Sequence, residues 1–191
     1  MCTPAGRPQR GANMSVLIDQ NTLDLISHSE EQTRRFGAYL APLLKAGDVI
    51  CLRGELGVGK TRFVQGIAQG LQVEGPVRSP SFTLVWEYMS PAGLKLFHID
   101  LYRLGDAVAE SLAIGIEEYL YGDGVCVIEW SERAEPILPA DRLTVEMRFI
   151  DDYKRGILLR AGGERSRELL TAYRSVVTGH APASSAPAGR S

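Results

Sequence analysis

Val49-Ile50-Cys51-Leu52-Arg53-Gly54-Glu55-Leu56-Gly57-Val58-Gly59-Lys60-Thr61 decides the architecture of this 191-residue chain. The unbroken apolar run Val49–Leu52 suits a strand buried on both faces. Gly54–Thr61 then matches G-x-x-x-x-G-K-[ST] without a mismatch, the pattern of a phosphate-binding loop. The chemistry explains each residue type. Glycines let the main chain curl so that successive N–H groups turn inward as an anion nest. A helix beginning at the loop adds the positive end of its dipole. Lys60 brings an ammonium to the β- and γ-phosphates, and Thr61 a hydroxyl ligand for Mg²⁺. The following stretch 62–71 carries Phe63, Val64, Ile67, Ala68 and Leu71 on one helical face, so the loop has the strand before it and the helix after it that the motif requires.

Upstream, Ser29 is placed to cap a helix whose first turn holds Glu30, Glu31 and Gln32. Phe36, Leu40, Leu43 and Leu44 share its apolar face, Pro42 kinks or ends it, and Lys45-Ala46-Gly47 stops it. Downstream, Phe82–Met89 and Leu94–Ile99 read as strands joined by Ser90-Pro91-Ala92-Gly93 in a hairpin. A mostly helical passage is expected over Ala107–Leu120, and a second buried strand at Val125–Ile128. Leu143–Ile150 and Gly156–Ala161 predict an antiparallel pair around Asp151-Asp152, and Glu164–Val176 a closing helix. Alternating strands and helices argue for an α/β layer architecture. We expect one domain over 14–177, flanked by disordered tails at 1–13 and 178–191, which are polar or rich in Ala, Ser, Pro and Gly.

Composition excludes several classes. A formal net charge of -2 and the lack of a basic stripe argue against a direct nucleic-acid binder. No apolar run approaches the roughly 18 residues of a membrane span. The polar beginning lacks the apolar core of a secretory signal, so the cytoplasm is the expected compartment. Cys2, Cys51 and Cys126 are far apart, and two lie within apolar runs, as reduced core thiols do.

A phosphate loop working with magnesium also needs an acid at the end of a neighbouring strand. Leu96–Ile99 runs into Asp100, and Val125–Ile128 runs into Glu129, each at the strand end that faces a ligand crevice in α/β sheets. We assign Asp100 to the magnesium side and Glu129 to the attacking water or the γ-phosphate region. The sequence leaves the exchanged roles open. His98 reads as packing beside its strand, and Arg103 and Arg133 as solvated charges or as contacts for phosphate or a partner's acidic surface.

Five stretches in order carry a resemblance: Gly54–Thr61, Ser79-Pro80-Ser81-Phe82-Thr83-Leu84-Val85, His98-Ile99-Asp100-Leu101-Tyr102-Arg103-Leu104, Gly115-Ile116-Glu117-Glu118-Tyr119-Leu120 and Ile128-Glu129-Trp130-Ser131-Glu132-Arg133. Together with Leu138-Pro139, this set resembles the bacterial TsaE (YjeE) ATPases over roughly Ser29 to Arg160. The phosphate loop is common to many NTPases, whereas H-x-D-L-Y-R-L and E-W are far more specific. The resemblance implies a three-layer P-loop NTPase-type fold with a mixed central β-sheet flanked by helices. It implies an ATPase, weak alone, that serves threonylcarbamoyladenosine (t6A) biosynthesis on tRNA. Its partners would be TsaD and TsaB, which transfer the threonylcarbamoyl group, with tRNA met only through them and ATP hydrolysis resetting the complex.

Carried onto this chain, the resemblance implies catalytic roles for Lys60, Asp100, Glu129 and Trp130. Nucleotide contacts fall to Glu55, Leu56, Gly57, Val58, Gly59, Lys60, Thr61, Arg62, Ser81 and Glu129, and Mg²⁺ contacts to Thr61, Asp100 and Glu129. Trp130 reads either as core packing or as a ring bordering the nucleotide or partner. Ser81 departs from the threonine usual in S-P-T-F; it keeps the hydroxyl but loses the methyl that restricts the rotamer. Thr33 and the first helix are the guess for the adenine pocket. Two rivals share the phosphate loop: a small-molecule kinase, against which no second Arg-rich lid segment is found, and a nucleotide switch that drives assembly without hydrolysis.

Overall fold

The computed structural model describes residues 19–179, and the expected tail 1–13 lies outside them, as does the expected tail from residue 180 onward. The elements in chain order are β1 (Thr22–Ser27), α1 (Glu30–Leu40), a 3-10 turn (Ala41–Leu43), β2 (Val49–Arg53) and α2 (Lys60–Gly70). Then come β3 (Val85–Met89), β4 (Lys95–Asp100), α3 (Ala107–Ala113), α4 (Ile116–Leu120), β5 (Gly124–Glu129) and a second 3-10 segment (Ser131–Ile137). Strands β6 (Leu143–Phe149) and β7 (Arg155–Ala161) and helix α5 (Glu164–Val177) complete the chain. The strands form one seven-stranded sheet in the order β1-β7-β6-β2-β5-β4-β3. Strand β2 lies parallel to β5 and β6, and β5 parallel to β4, while β3, β7 and β1 join antiparallel. The sheet is therefore mixed, and the fold is α/β.

Apolar side chains alternate across the central strands, and each set feeds one face of the sheet. Ile50 and Leu52 of β2 and Val125 and Val127 of β5 join Phe63, Val64 and Ile67 of α2 and Leu170 and Tyr173 of α5 in one core. Val49, Cys51, Cys126 and Ile128 point the other way, toward Ile116 and Leu120 of α4 and Ala134. That makes three layers. Helix α5 is held at both ends of its first face: the Arg165 guanidinium donates to the buried Asp48 carboxylate at 2.8 and 2.7 Å, and the Tyr173 hydroxyl to the Phe36 carbonyl at 2.9 Å. Cys51 and Cys126 are buried free thiols, as expected; burial pushes Cys51 up to about 12 and Cys126 well above the ordinary thiol range. Cys2 lies outside the described residues.

Several boundaries differ from those expected. The strand placed at Phe82–Met89 begins only at Val85, because 82–84 turn: the N–H groups of Thr83 and Leu84 both donate to the Pro80 carbonyl, and Leu84 has φ 66°. The helical passage 107–120 is broken at Gly115, whose φ of 73° ends α3 and starts α4. Pro42 stands inside the 3-10 turn that ends α1. Strand β1 was not anticipated from the sequence; it is an edge strand paired along Thr22–Ser27 with Arg155–Arg160 of β7.

Candidate nucleotide-binding site

Strand β2 ends at the phosphate loop, β5 beside it ends at Glu129, and β4 beside that ends at Asp100. Asp100 and Glu129 are paired in register across the two parallel strands, and Leu52 pairs with Glu129 on the other side. Both carboxylates therefore stand next to the loop at one end of the sheet, and both are buried. A cleft of about 850 Å³ opens over them, lined among others by Gly57, Lys60, Thr61, Ser81, Asp100 and Trp130.

Within the loop, Gly54, Gly57 and Gly59 have φ of 132°, 77° and 114°, a region open to glycine and costly for other residues. Gly59 caps α2, so Lys60 and Thr61 form its first turn. The Lys60 ammonium donates to the carbonyls of Gly54 at 2.6 Å and Glu55 at 2.9 Å and lies 3.8 Å from the Trp130 ring centroid. Burial lowers its pKa, while the charges of Glu129, Glu132 and Asp100 act in the opposite sense.

Trp130 reaches this place through a left-handed backbone, φ 59°, at the turn after β5. A bulky residue in that region is strained and persists only where its surroundings require it. Its ring lies against Tyr102, centroids 4.8 Å apart, so the ring that meets the lysine is itself packed on a second aromatic. Partial burial strengthens such a cation–ring contact relative to one in water.

Each carboxylate is held by named donors. The Thr61 hydroxyl donates to Glu129 Oε1 at 2.8 Å and Oε2 at 3.0 Å. The His98 ring also meets Glu129, with Nε2 at 2.9 Å from Oε1. Asp100 Oδ2 accepts from the hydroxyls of Ser79 and Ser81, each at 2.6 Å, and Oδ1 accepts from the Tyr102 N–H at 2.9 Å. The two serine hydroxyls are themselves 2.6 Å apart. A buried charge is tolerated only with such partners.

Of the residues expected from sequence, Leu56, Gly57, Val58, Gly59, Lys60, Thr61, Arg62, Ser81, Asp100, Glu129 and Trp130 all line the cleft, and Glu55 adjoins it as an acceptor for Lys60. Arg62 pairs with Glu30 of α1 at 3.0 Å. Thr33 also lines the cleft, with its hydroxyl engaged by Ser27 at 2.8 Å and the Ser29 carbonyl at 3.2 Å. Arg133 is not turned to the cleft: its guanidinium donates to the carbonyls of Tyr102 and Leu104, tying the chain after β4 to that after β5. Arg103 stacks on Phe82 at 4.1 Å.

Sequence reasoning missed Ser79 as a second hydroxyl on Asp100 and His98 as a partner of Glu129. It also missed Tyr153 and Arg155, which the β6–β7 turn brings to the cleft. The adjacent serines of Ser79-Pro80-Ser81 and the two-residue spacing of His98 and Asp100 on one strand face were signals for the first two.

A buried strand that passes through a glycine loop into a helix, with parallel neighbours on both sides, places the chain among the P-loop α/β proteins. Residues 27–157 match the family model described as "Threonylcarbamoyl adenosine biosynthesis protein TsaE", and the chain belongs to the TsaE family. It is 41% identical over 135 residues to the tRNA threonylcarbamoyladenosine biosynthesis protein TsaE of Bacillus subtilis, covering 71% of this chain and 83% of that one. To the protein of the same name from Treponema pallidum it is 42% identical over 132 residues, 69% of this chain and 96% of the relative. The crystal structure of Bacillus subtilis YdiB superimposes with a TM-score of 0.69 at 34% identity, over 80% of this chain and 94% of that one. Among the described residues, no helix is long and apolar enough to cross a membrane.

Proposed function

We propose that this protein is a Mg²⁺-dependent ATPase of the cytoplasm that supports t6A modification of tRNA. It works with the TsaD–TsaB complex, which transfers the threonylcarbamoyl group, and hydrolysis resets that complex between rounds. The observation that carries this reading is the contact between Thr61 of the loop and Glu129 of β5 beneath the buried Lys60. The names of the relatives support the pathway.

Thr61 and Glu129 offer only oxygen donors at one point beside the loop, a donor set that suits magnesium. Magnesium bound there would supply Lewis-acid neutralisation of charge on the β- and γ-phosphates. Lys60 exchanges the Gly54 and Glu55 carbonyls for phosphoryl oxygens, and the loop amides hold the remaining charge. Trp130, backed by Tyr102, covers the lysine on one side. The sequence suggested Asp100 for the metal side and Glu129 for the water; the Thr61–Glu129 bond favours the exchanged division. Glu129 then assists Thr61, and Asp100, oriented by Ser79, Ser81 and the Tyr102 amide, places the attacking water. Ser81 supplies a hydroxyl able to turn from Asp100 to the γ-phosphate region.

The test is inorganic phosphate release from ATP by the purified protein, alone and with purified TsaB, TsaD and tRNA. Slow release alone and marked stimulation by the complex are expected. Equal release in both conditions contradicts the partner dependence. Full t6A formation with a non-hydrolysable ATP analogue contradicts the need for hydrolysis and favours a binding switch.

A further inference from the structure

Glu129 is the one carboxylate at this site whose second partner comes from a neighbouring strand. Its Oε1 receives the Thr61 hydroxyl and also faces His98 Nε2 at 2.9 Å, with both side chains buried. A carboxylate only accepts, so the ring donates through Nε2. The other ring nitrogen, Nδ1, is buried without a hydrogen-bond partner. The histidine therefore spends its single polar contact on Glu129 and pays for burial of the rest of the ring. A residue whose task was only to fill the space between β3 and β5 would be better served by leucine or phenylalanine, since an unpartnered buried polar atom costs stability.

The sheet explains how the ring gets there. Leu96, His98 and Asp100 alternate onto the same side of β4, and on β5 Val125, Val127 and Glu129 face that side, toward α2. His98 is paired in register with Val127, two residues before Glu129 and two before Asp100 on its own strand. Among the described residues it is the only strand-borne donor to Glu129, and it is anchored within the sheet, not on the loop.

We propose that His98 is a positioning residue that holds Glu129 in the rotamer needed to assist Thr61 in binding Mg²⁺. The inference rests on the reading of Glu129 as the metal-side acid. The His98 bond fixes Oε1, so the carboxylate keeps its orientation when Thr61 turns its hydroxyl from Glu129 to the cation. Without the bond, Glu129 is free to rotate toward Lys60, with which it interacts electrostatically. Partners of ligating groups of this kind typically change metal affinity by ~10–100-fold when removed.

The experiment is calorimetric titration of a fluorescent ATP analogue into the full chain, with EDTA and across a Mg²⁺ series, for wild type, His98→Leu and His98→Gln. Glutamine places a donor N–H where histidine has Nε2, and leucine has none. We expect analogue affinity in EDTA to match wild type in both variants. The Mg²⁺ concentration at half-effect should rise ~10–100-fold in His98→Leu and return close to wild type in His98→Gln. An unchanged Mg²⁺ requirement in His98→Leu overturns the proposal, as does an equal loss in both folded variants. If His98→Leu does not fold, His98→Asn, whose amide is too short to reach Oε1, takes its place with the same expectations. A wild-type protein whose analogue binding ignores Mg²⁺ would instead overturn the functional reading beneath this inference.

Discussion

A methyl group on Gly54 would stand 2.3 Å from the Met147 carbonyl oxygen, and its φ of 132° is already closed to other residues. The loop thus passes close against β6, and within it Lys60 reaches the Gly54 and Glu55 carbonyls. In the proposed ATPase those two carbonyls hold the ammonium where phosphoryl oxygens would replace them, so the lysine is placed before its ligand arrives. Lys60→Ala and Asp100→Ala should each reduce partner-stimulated phosphate release by ~10²-fold or more, while circular dichroism and thermal midpoint remain near wild type. Release at the wild-type rate from either variant rejects its role. Lys60, Thr61 and the loop glycines were legible in the sequence because the phosphate-loop pattern is one unbroken stretch of chain. The contacts of Glu129 were not. Thr61 lies 68 residues away from it and His98 31 residues away, and only the pairing of β5 with β2 on one side and β4 on the other joins them.

Helices α1 and α2 meet through glycines, which sets how closely α1 lies over the loop. A Cβ on Gly66 would fall 1.8 Å from the Arg34 carbonyl oxygen, and one on Gly37 2.1 Å from that of Phe63. Neither neighbour is a flexible side chain, so the helices themselves must part. Gly66→Ala is expected to lower stability by about 1–3 kcal/mol, seen as a lower urea midpoint. It should also weaken ATP binding, because Thr33 and the Arg62–Glu30 pair move with α1. A variant as stable as wild type would show that the helices have slack. At this scale the apolar runs and caps were readable: Ser29 caps α1 by accepting from the Gln32 N–H, and β2, β5 and α2 stand where periodicity puts them. Strand β1 escaped because Thr22–Ser27 is an edge strand with one partner, and its half-exposed residues carry no strong alternation. The turn over 82–84 escaped because Phe82 looks like strand in composition but lies largely exposed, stacked on Arg103.

Across the whole molecule, the sheet order accounts for the site. Placing β5 between β2 and β4 brings two strand-end carboxylates and the phosphate loop to one end of the sheet, with α2 on one face and α3 and α4 on the other. No single segment announces that order; it follows from which apolar strands bury both faces, and the antiparallel additions β1, β7 and β3 close the flanks. The resemblance to TsaE supplied the mixed sheet in advance, whereas the residues themselves supported only alternating layers. Binding of the nucleotide is the claim from which hydrolysis, partner stimulation and the role of His98 all descend. Isothermal calorimetry of the full chain with ATP and Mg²⁺ measures it directly. A saturable heat with one site per chain, lost in Lys60→Ala, is the predicted result; folded wild-type protein that gives no heat of association would contradict the account.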